Sequence, residues 1–538
     1  MYENSSARPG LLLATVAVVQ FMVSLDLSVV NVGLPQMAAG LGFSALGVTW
    51  VIHAYALTFG GLLLLGGKAA DRYGRRRVLL LGLTLFGVAS LLGGFAQEPG
   101  QLVAARAAQG VGAAALAPAA LALLTSAFPS GKARIRAFGV WSAMNAAGGA
   151  LGVLAGGLLT EYASWRWVMF VNVPMAAIAL AMAWRGVPAS SPGARTGRPD
   201  VHGARTGRPD VLGARTGRPD VPGARTGRPD VPGGTGRPDV PGARTGRPDV
   251  PGARTGRPDV LGAVLATAGM VTLVFGIVRT DRHPWTSAAT LTTLAAALLL
   301  LAVFVLVERR TTREPLLRLG LLANRSVAGA NAYNLLVGAA MASAFYFASL
   351  YLQRVLGTGP ALTGLQFLPF ALGVVVGAVL AIRLGYRFPA RTLLITGGLL
   401  TAAGFAWFGL ISADGTFLTD ILGPSIVTSI GFGMCLGPVV SVATMGVAPS
   451  ETGTASGLLN SSRQIGASLG LAALGTAAHD RTGSSVSPAA LNDGYALGLT
   501  LGAALLFAAV VIAVVVLRRT ETPAPTPQPA AEPVTSSH

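Results

Sequence analysis

The run Gly67-Lys68-Ala69-Ala70-Asp71-Arg72-Tyr73-Gly74-Arg75-Arg76-Arg77 sets five cations and one acid within eleven residues, between two stretches that are almost purely apolar. Such a run cannot lie in hydrocarbon, where each Lys or Arg costs about 2.5–3.5 kcal/mol on insertion scales. It is therefore expected to be a tight loop between two membrane-crossing helices, with Gly67 and Gly74 letting the chain turn without a Cβ penalty. Its excess of Lys and Arg assigns the loop to the cytoplasmic side. Asp71 is the one anion in it.

The composition points the same way. Of 538 residues, 52% are hydrophobic and 12% charged, and the mean hydropathy is +0.60. Soluble domains carry about 25% charged residues. The net charge of +18 would suggest nucleic acid for a soluble protein. Here the cations fall in short loops and in one repeat, with no basic face interleaved with aromatic residues, so nucleic acid is not expected as a partner. Cys435 is the single cysteine, which excludes an intrachain disulfide and a cysteine metal site. The first apolar stretch is too long for a signal-peptide core and no small-residue cleavage site follows it, so it reads as an uncleaved span.

Working outward from the basic run, apolar segments of spanning length fall at about 11–32, 47–66, 78–96, 102–127, 137–159, 168–184, 261–278, 288–307, 327–352, 361–382, 392–411, 418–443, 454–477 and 495–517. The first is expected to end near Pro35. Fourteen spans place both termini on one side. In that register the cytoplasmic loops hold Arg8, the basic run, Lys132, Arg134, Arg136, Arg185, the Arg309–Arg325 and Arg383–Arg391 groups, Arg463, Arg518 and Arg519. The outer side keeps only Arg166, Arg279, Arg282, Arg354 and Arg481. Shifting the register by one helix inverts this bias.

Between the sixth and seventh spans lies a tandem repeat, Gly-Ala-Arg-Thr-Gly-Arg-Pro-Asp-Val-x, with copies starting at Gly193, Gly203, Gly213, Gly223, Gly233, Gly242 and Gly252. Glycine, proline and charge at this density cannot bury a core, so a disordered linker is expected. An Arg-rich strip held near anionic headgroups is the functional alternative. The domain reading is an N-terminal six-helix bundle over 1–186, a cytoplasmic linker over 187–260, two inserted helices over 261–307, a C-terminal six-helix bundle over 308–519 and a disordered cytoplasmic tail over 520–538.

Asp26 is the one acid within the first span, and an intramembrane carboxylate defaults to a functional reading. The fourth span carries Arg106 and Gln109. At 1.5 Å per residue Asp26 lies roughly 22 Å from the inner face and Arg106 roughly 8 Å from the outer one. In a core about 30 Å thick these depths coincide. Asp26 and Arg106 are thus expected to face one cavity and to bias each other's charge, with Asn31 and Gln109 nearby. Small residues at spacing four, Gly148, Gly152 and Gly156 with Gly157, allow close helix approach in the fifth span. Trp141, Trp407 and Phe345-Tyr346-Phe347 are candidate aromatic pocket residues. No nucleophile–base pair, phosphate loop or metal spacing is present, so no enzyme activity and no cofactor are expected.

Taken together, these motifs resemble the fourteen-helix drug:proton antiporters of the major facilitator superfamily, the EmrB/QacA type. The likeness runs through Leu25–Pro35, Gly67–Arg77, Arg106–Gly112, the helix 5 glycines, Ser164–Pro174 and Gly453–Gly466. It implies an all-α integral membrane protein with two six-helix bundles plus two inserted helices, rocking about a midplane site. It implies a cytoplasmic gate of Gly67, Asp71, Arg72, Gly74, Arg75 and Arg76, with Asp71 facing the start of the thirteenth helix near Gly453–Ser456. Val153 stands where the family usually has proline, and Arg383–Arg391 lacks the acid of the first-half loop. The expected activity is proton-driven export of small amphipathic, drug-like compounds by a monomer in the bacterial cell membrane. A nutrient facilitator or symporter and a non-transporting sensor are the alternatives.

Overall fold

The computed structural model describes residues 9–44, 46–128, 131–187, 259–281, 283–310, 319–448, 451–483 and 485–517. The decapeptide repeat, the tail and both chain ends lie outside the described residues.

The described chain is a succession of long helices: α1 Pro9–Leu41, α2 Trp50–Tyr73, α3 Arg75–Gly94, α4 Pro99–Ala127, α5 Gly131–Tyr162, α6 Trp167–Gly186, α7 Val260–Val278, α8 Ala288–Arg310, α9 Arg325–Val355, α10 Pro360–Leu384, α11 Ala390–Phe408, α12 Phe417–Ala443, α13 Thr452–Thr482 and α14 Pro488–Val515. In lipid a helix is the way for one segment to satisfy its own backbone. Starts are marked by proline in the first turn at Pro99, Pro360 and Pro488, and by side-chain caps from Asp259 to Gly262 N, Asn324 to Ser326 N and Ser487 to Ala490 N.

Thirteen of these helices are long and apolar enough to cross a membrane. The other, α13, has 31 residues and carries Asn460, Ser461, Ser462, Arg463, Gln464 and Ser468. Neighbours shield its polar side. Gly466 and Gly470 ride on the α9 backbone at Leu335 and Ala339, and Asn334 Nδ2 donates to Leu459 O at 2.8 Å. One apolar core lies within residues 12–187 and a second centres on α9–α14. The inserted pair α7–α8 docks against α2 and α13, with Gly61 against Thr267. Its outer member α8 leaves Leu291, Leu298, Leu299 and Leu306 exposed, as a lipid-facing helix would.

The basic run differs from the expected loop. It is helical up to Tyr73 and again from Arg75, and Gly74 alone, at φ +96°, makes the turn. Gly67 is an ordinary helical residue against Pro118. Two of its cations instead reach carbonyls in the last turns of neighbouring helices, where the helix dipole favours them. Arg75 Nη1 donates to Ala122 O in α4 at 3.0 Å, and Arg76 Nη2 to Trp184 O in α6 at 2.8 Å. Arg391 does the same for Ala513 O and Val514 O of α14.

A second difference is α1, which runs past Pro35 to Leu41. Proline removes the N–H that would bond the Asn31 carbonyl. That carbonyl is met from the other bundle: Ser349 Oγ of α9 donates to Asn31 O at 3.2 Å. Gln353 Nε2 donates to Val32 O at 3.0 Å, and Gln36 Nε2 to Gln353 Oε1 at 3.0 Å. Glu161 at the end of α5 accepts from Ala361 N, in the first turn of α10, at 2.6 Å. The bundles are thus joined at the end opposite the basic run. Toward the basic end α5 is bare: from Ala133 to Ala147 every described side chain but Ala137 is at least half-exposed or intermediate. Between the two ends the bundles also touch through α2 and α13, at Gly60–Gln464 and Leu64–Gly457. Ser349→Ala removes one joining bond worth about 1 kcal/mol, roughly a fivefold population shift. The expected result is faster labelling of a Gln36→Cys reporter by a membrane-impermeant maleimide. An unchanged rate would mean that the hydroxyl does not hold this end.

Candidate functional site

Asp26 lies midway along α1, with 0% of its surface exposed. Its hydrogen-bond partners come from two other helices. Arg106 Nη1 of α4 donates to Asp26 Oδ2 at 2.7 Å. Asn172 Nδ2 of α6 and Gln109 Nε2 of α4 donate to Oδ1 at 2.8 and 3.3 Å. Gln109 is itself fixed, since its Oε1 accepts from Arg106 Nη1 at 2.9 Å and its Nε2 donates to Ser90 Oγ of α3 at 2.7 Å. Arg106 is held from α2 by Val51 O, at 3.0 Å from Nε, and by the Tyr55 ring, 4.4 Å below its guanidinium carbon. Five helices therefore meet around one ion pair.

The chemistry of this cluster is one-sided. Every group that faces Asp26 is a donor, and an ionised carboxylate offers only acceptor sites. Three N–H groups take three of the roughly four lone-pair sites of the carboxylate, and the guanidinium gives it a fixed counter-charge.

The sequence placed Asp26, Arg106 and Gln109 on a cavity wall. The structure brings the three together but seals them inside the first bundle, with Arg106 only 2% exposed. The reason is the close approach of α3 and α4, where Gly112 lies against the backbone at Gly82 and Phe86. Asn31 is separate. Five residues beyond Asp26, it is turned about 140° away, and its carbonyl joins α9 instead. Asn172, Ser90 and Tyr55 were not foreseen as members. A buried polar residue in an otherwise apolar helix was the available signal for Ser90 and Asn172.

At the basic end Asp71 is paired with Arg75 at 3.9 Å and its side chain is 71% exposed. Arg72 lies over Tyr73, and Gly453 faces open space. In α5, Gly148 and Gly152 face the α1 backbone, where a Cβ would stand 2.5 Å from Phe21 O and 2.7 Å from Leu25 O. Gly156 meets Val29 O likewise, and Gly157 meets Pro360 O of α10. The helix is continuous from Gly131 to Tyr162 without proline. Of the aromatic candidates, Tyr346 and Phe347 are buried, the latter against Tyr495, and Trp407 packs over Gly423. Phe345 stacks with Phe367 and meets Phe370 edge-on, at 5.6 and 5.0 Å between centroids.

Comparison with known proteins adds the following. The family model described as Major Facilitator Superfamily matches residues 16–241 and 255–471. The cephamycin export protein CmcT of Amycolatopsis lactamdurans is 38% identical over 92% of this chain and 89% of its own length. The puromycin resistance protein pur8 of Streptomyces alboniger is 38% identical over 95% and 92%. The methylenomycin A resistance protein of Bacillus subtilis is 28% identical over 89% of each. Among solved structures, an inward-facing bacterial homologue of the lysosomal transporter Spinster aligns with a TM-score of 0.57 at 16% identity, covering 96% of both chains. The nucleoside transporter NupG aligns at 0.57 and 11% identity, covering 93% of this chain and 99% of its own.

Proposed function

The chain belongs to the Major Facilitator Superfamily, and from that premise we propose that it exports small amphipathic, antibiotic-like compounds across the cell membrane in exchange for protons. Relatives named for antibiotic export and resistance, aligned over nearly their whole length, support the export reading. The observation that carries the coupling is the closed ring of donors around Asp26. With the basic end in the cytoplasm, opening between the bundles at that end would admit a compound from the cell. Closing that end and parting Ser349, Gln353 and Glu161 from their partners would present it outside. A proton reaching Asp26 would break the Arg106 contact and favour one packing of α1 on α4, α5 and α6 over the other. Coupling needs only that proton and substrate prefer different packings. Gly67, Asp71, Arg72, Gly74, Arg75 and Arg76 form the inner gate in this scheme, with Arg75 and Arg76 already bonded to carbonyls of α4 and α6.

The test is uptake of puromycin into inside-out vesicles with an imposed pH gradient. Accumulation that collapses on adding an uncoupler is expected, with a lower initial rate for Asp71→Asn. Uptake indifferent to the gradient would indicate a facilitator. No uptake of any compound would leave a sensor.

A further inference from the structure

Besides the sealed Asp26–Arg106 pair, one more charged side chain lies deep among the helices, and no part of the scheme above uses it. Arg463, which the charge register assigned to the cytoplasmic side, is instead the twelfth residue of α13 (Thr452–Thr482), about 17 Å along that helix and so near mid-membrane. Its place on the helix is set by what packs either side. Leu459, Ser462, Gly466 and Gly470 meet α9, while Gly457 and Gln464 meet α2 at Leu64 and Gly60. Between these two faces runs the stripe Ser456, Asn460, Arg463 and Ala467, all four partly exposed. The far side of α13 is covered by α7, through Leu469 and Ala472. The side chains of the stripe therefore point between α9 and α2, with the Arg463 backbone resting on Gly338 of α9.

Arg463 is not spent on structure as Arg106 is. Among the described residues no carboxylate lies within ion-pairing distance of it, and its one side-chain hydrogen bond is Nη2 to Asn460 Oδ1 on its own helix, at 3.1 Å. Among the described residues its other nitrogens have no hydrogen-bond partner, and the side chain is only partly exposed. A guanidinium offers five N–H donors in a planar fork that matches a carboxylate. Among the described residues, Asp26 is the one acid deep within a crossing helix, and Arg106 already neutralises it. The remaining acids lie within about two helical turns of a helix end or between helices. At mid-depth this side of α13 thus presents a cation and no anion.

We infer that Arg463, steadied by Asn460, receives an anionic group of the transported compound, so that this protein selects amphipathic acids over amphipathic amines. A carboxylate would pair with the fork in a site screened from bulk water, whereas an ammonium would be repelled there. The inference rests on the exporter reading, and the experiment separates the two.

Three compounds are offered to inside-out vesicles under a pH gradient: cephalothin, which carries one carboxylate, its methyl ester, and puromycin, which carries an amine. The wild-type protein is expected to take up cephalothin with a KM at least tenfold below that for either other compound. Arg463→Gln should raise the cephalothin KM about tenfold with little change in maximal rate, Arg463→Lys should fall between, and the ester should be indifferent to both. Preference for puromycin or the ester by the wild type overturns the inference and leaves the exporter standing. Equal losses for cephalothin and ester in both variants assign Arg463 to packing and likewise overturn it. If the wild type takes up none of the three and binds none when purified, both readings fall. The comparison of compounds on the wild type stands even if a variant fails to fold.

Discussion

Arg106→Ala is expected to cost about 3–5 kcal/mol of stability and to end transport, because it leaves Asp26 ionised, dry and short of its only cation. In the intact protein Asp26 has no accessible surface, and Tyr55 and Val51 close the space around the guanidinium. Two donors remain, from Asn172 and Gln109, but Gln109 loses the partner that orients its oxygen. The cost belongs to the stranded charge more than to the lost bond. A double variant tests that attribution. Adding Asp26→Asn removes the charge that had nowhere to go, so the pair of changes should be less destabilising than Arg106→Ala alone, while still failing to transport. Thermal unfolding of the four purified proteins in one detergent gives the cycle. Simple additivity would mean that the two residues do not depend on each other.

The membrane helices were readable because hydrocarbon imposes length and apolarity at once. Even α13, too polar for a span by composition, could be placed by the register that the flanking cations demand. What the sequence could not show was how polar groups on separate helices find one another. Depth along α1 and α4 put Asp26 and Arg106 at one level, and that needed only a rise per residue. Rotation about each helix axis decides whether such a pair faces a cavity or a packed interior. The rotation is set here by glycines such as Gly112 that admit α3 against α4. Asn31 illustrates the same point, since it shares a helix and nearly a depth with Asp26 but not a face.

Pro35 was misleading for a related reason. Proline stops a helix when the carbonyl it abandons has no other donor. Ser349 supplies that donor from more than three hundred residues away. No local pattern around Pro35 reports it. In the basic run charge is legible and shape is not, because one glycine with positive φ is enough to reverse the chain between two helices and leaves Arg75 and Arg76 to reach neighbouring helices.

Gly152→Leu is the other change expected to be ruinous. α1 and α5 run side by side in the same direction, and the contact is made backbone to backbone at Gly148, Gly152 and Gly156. A Cβ at position 152 would lie 2.7 Å from Leu25 O and 3.0 Å from Ser28 Cβ. The first obstacle is main chain and cannot rotate away, so the two helices must part. Overpacking a core commonly costs about 1–3 kcal/mol. Here the displaced element is the helix that carries Asp26, so the penalty should reach or pass the top of that range and loosen the Arg106 contact as well. Gly149, the next residue, is the control: its Cβ would find only the Ser24 and Ser28 hydroxyls, each at 3.8 Å. Gly149→Ala is expected to be neutral or to stabilise by up to about 1 kcal/mol through helix propensity. Yield of monodisperse protein and its unfolding temperature distinguish the two outcomes. If Gly152→Leu behaves like Gly149→Ala, α1 and α5 do not pack this closely in the membrane, and the glycine row is no more than a run of small residues.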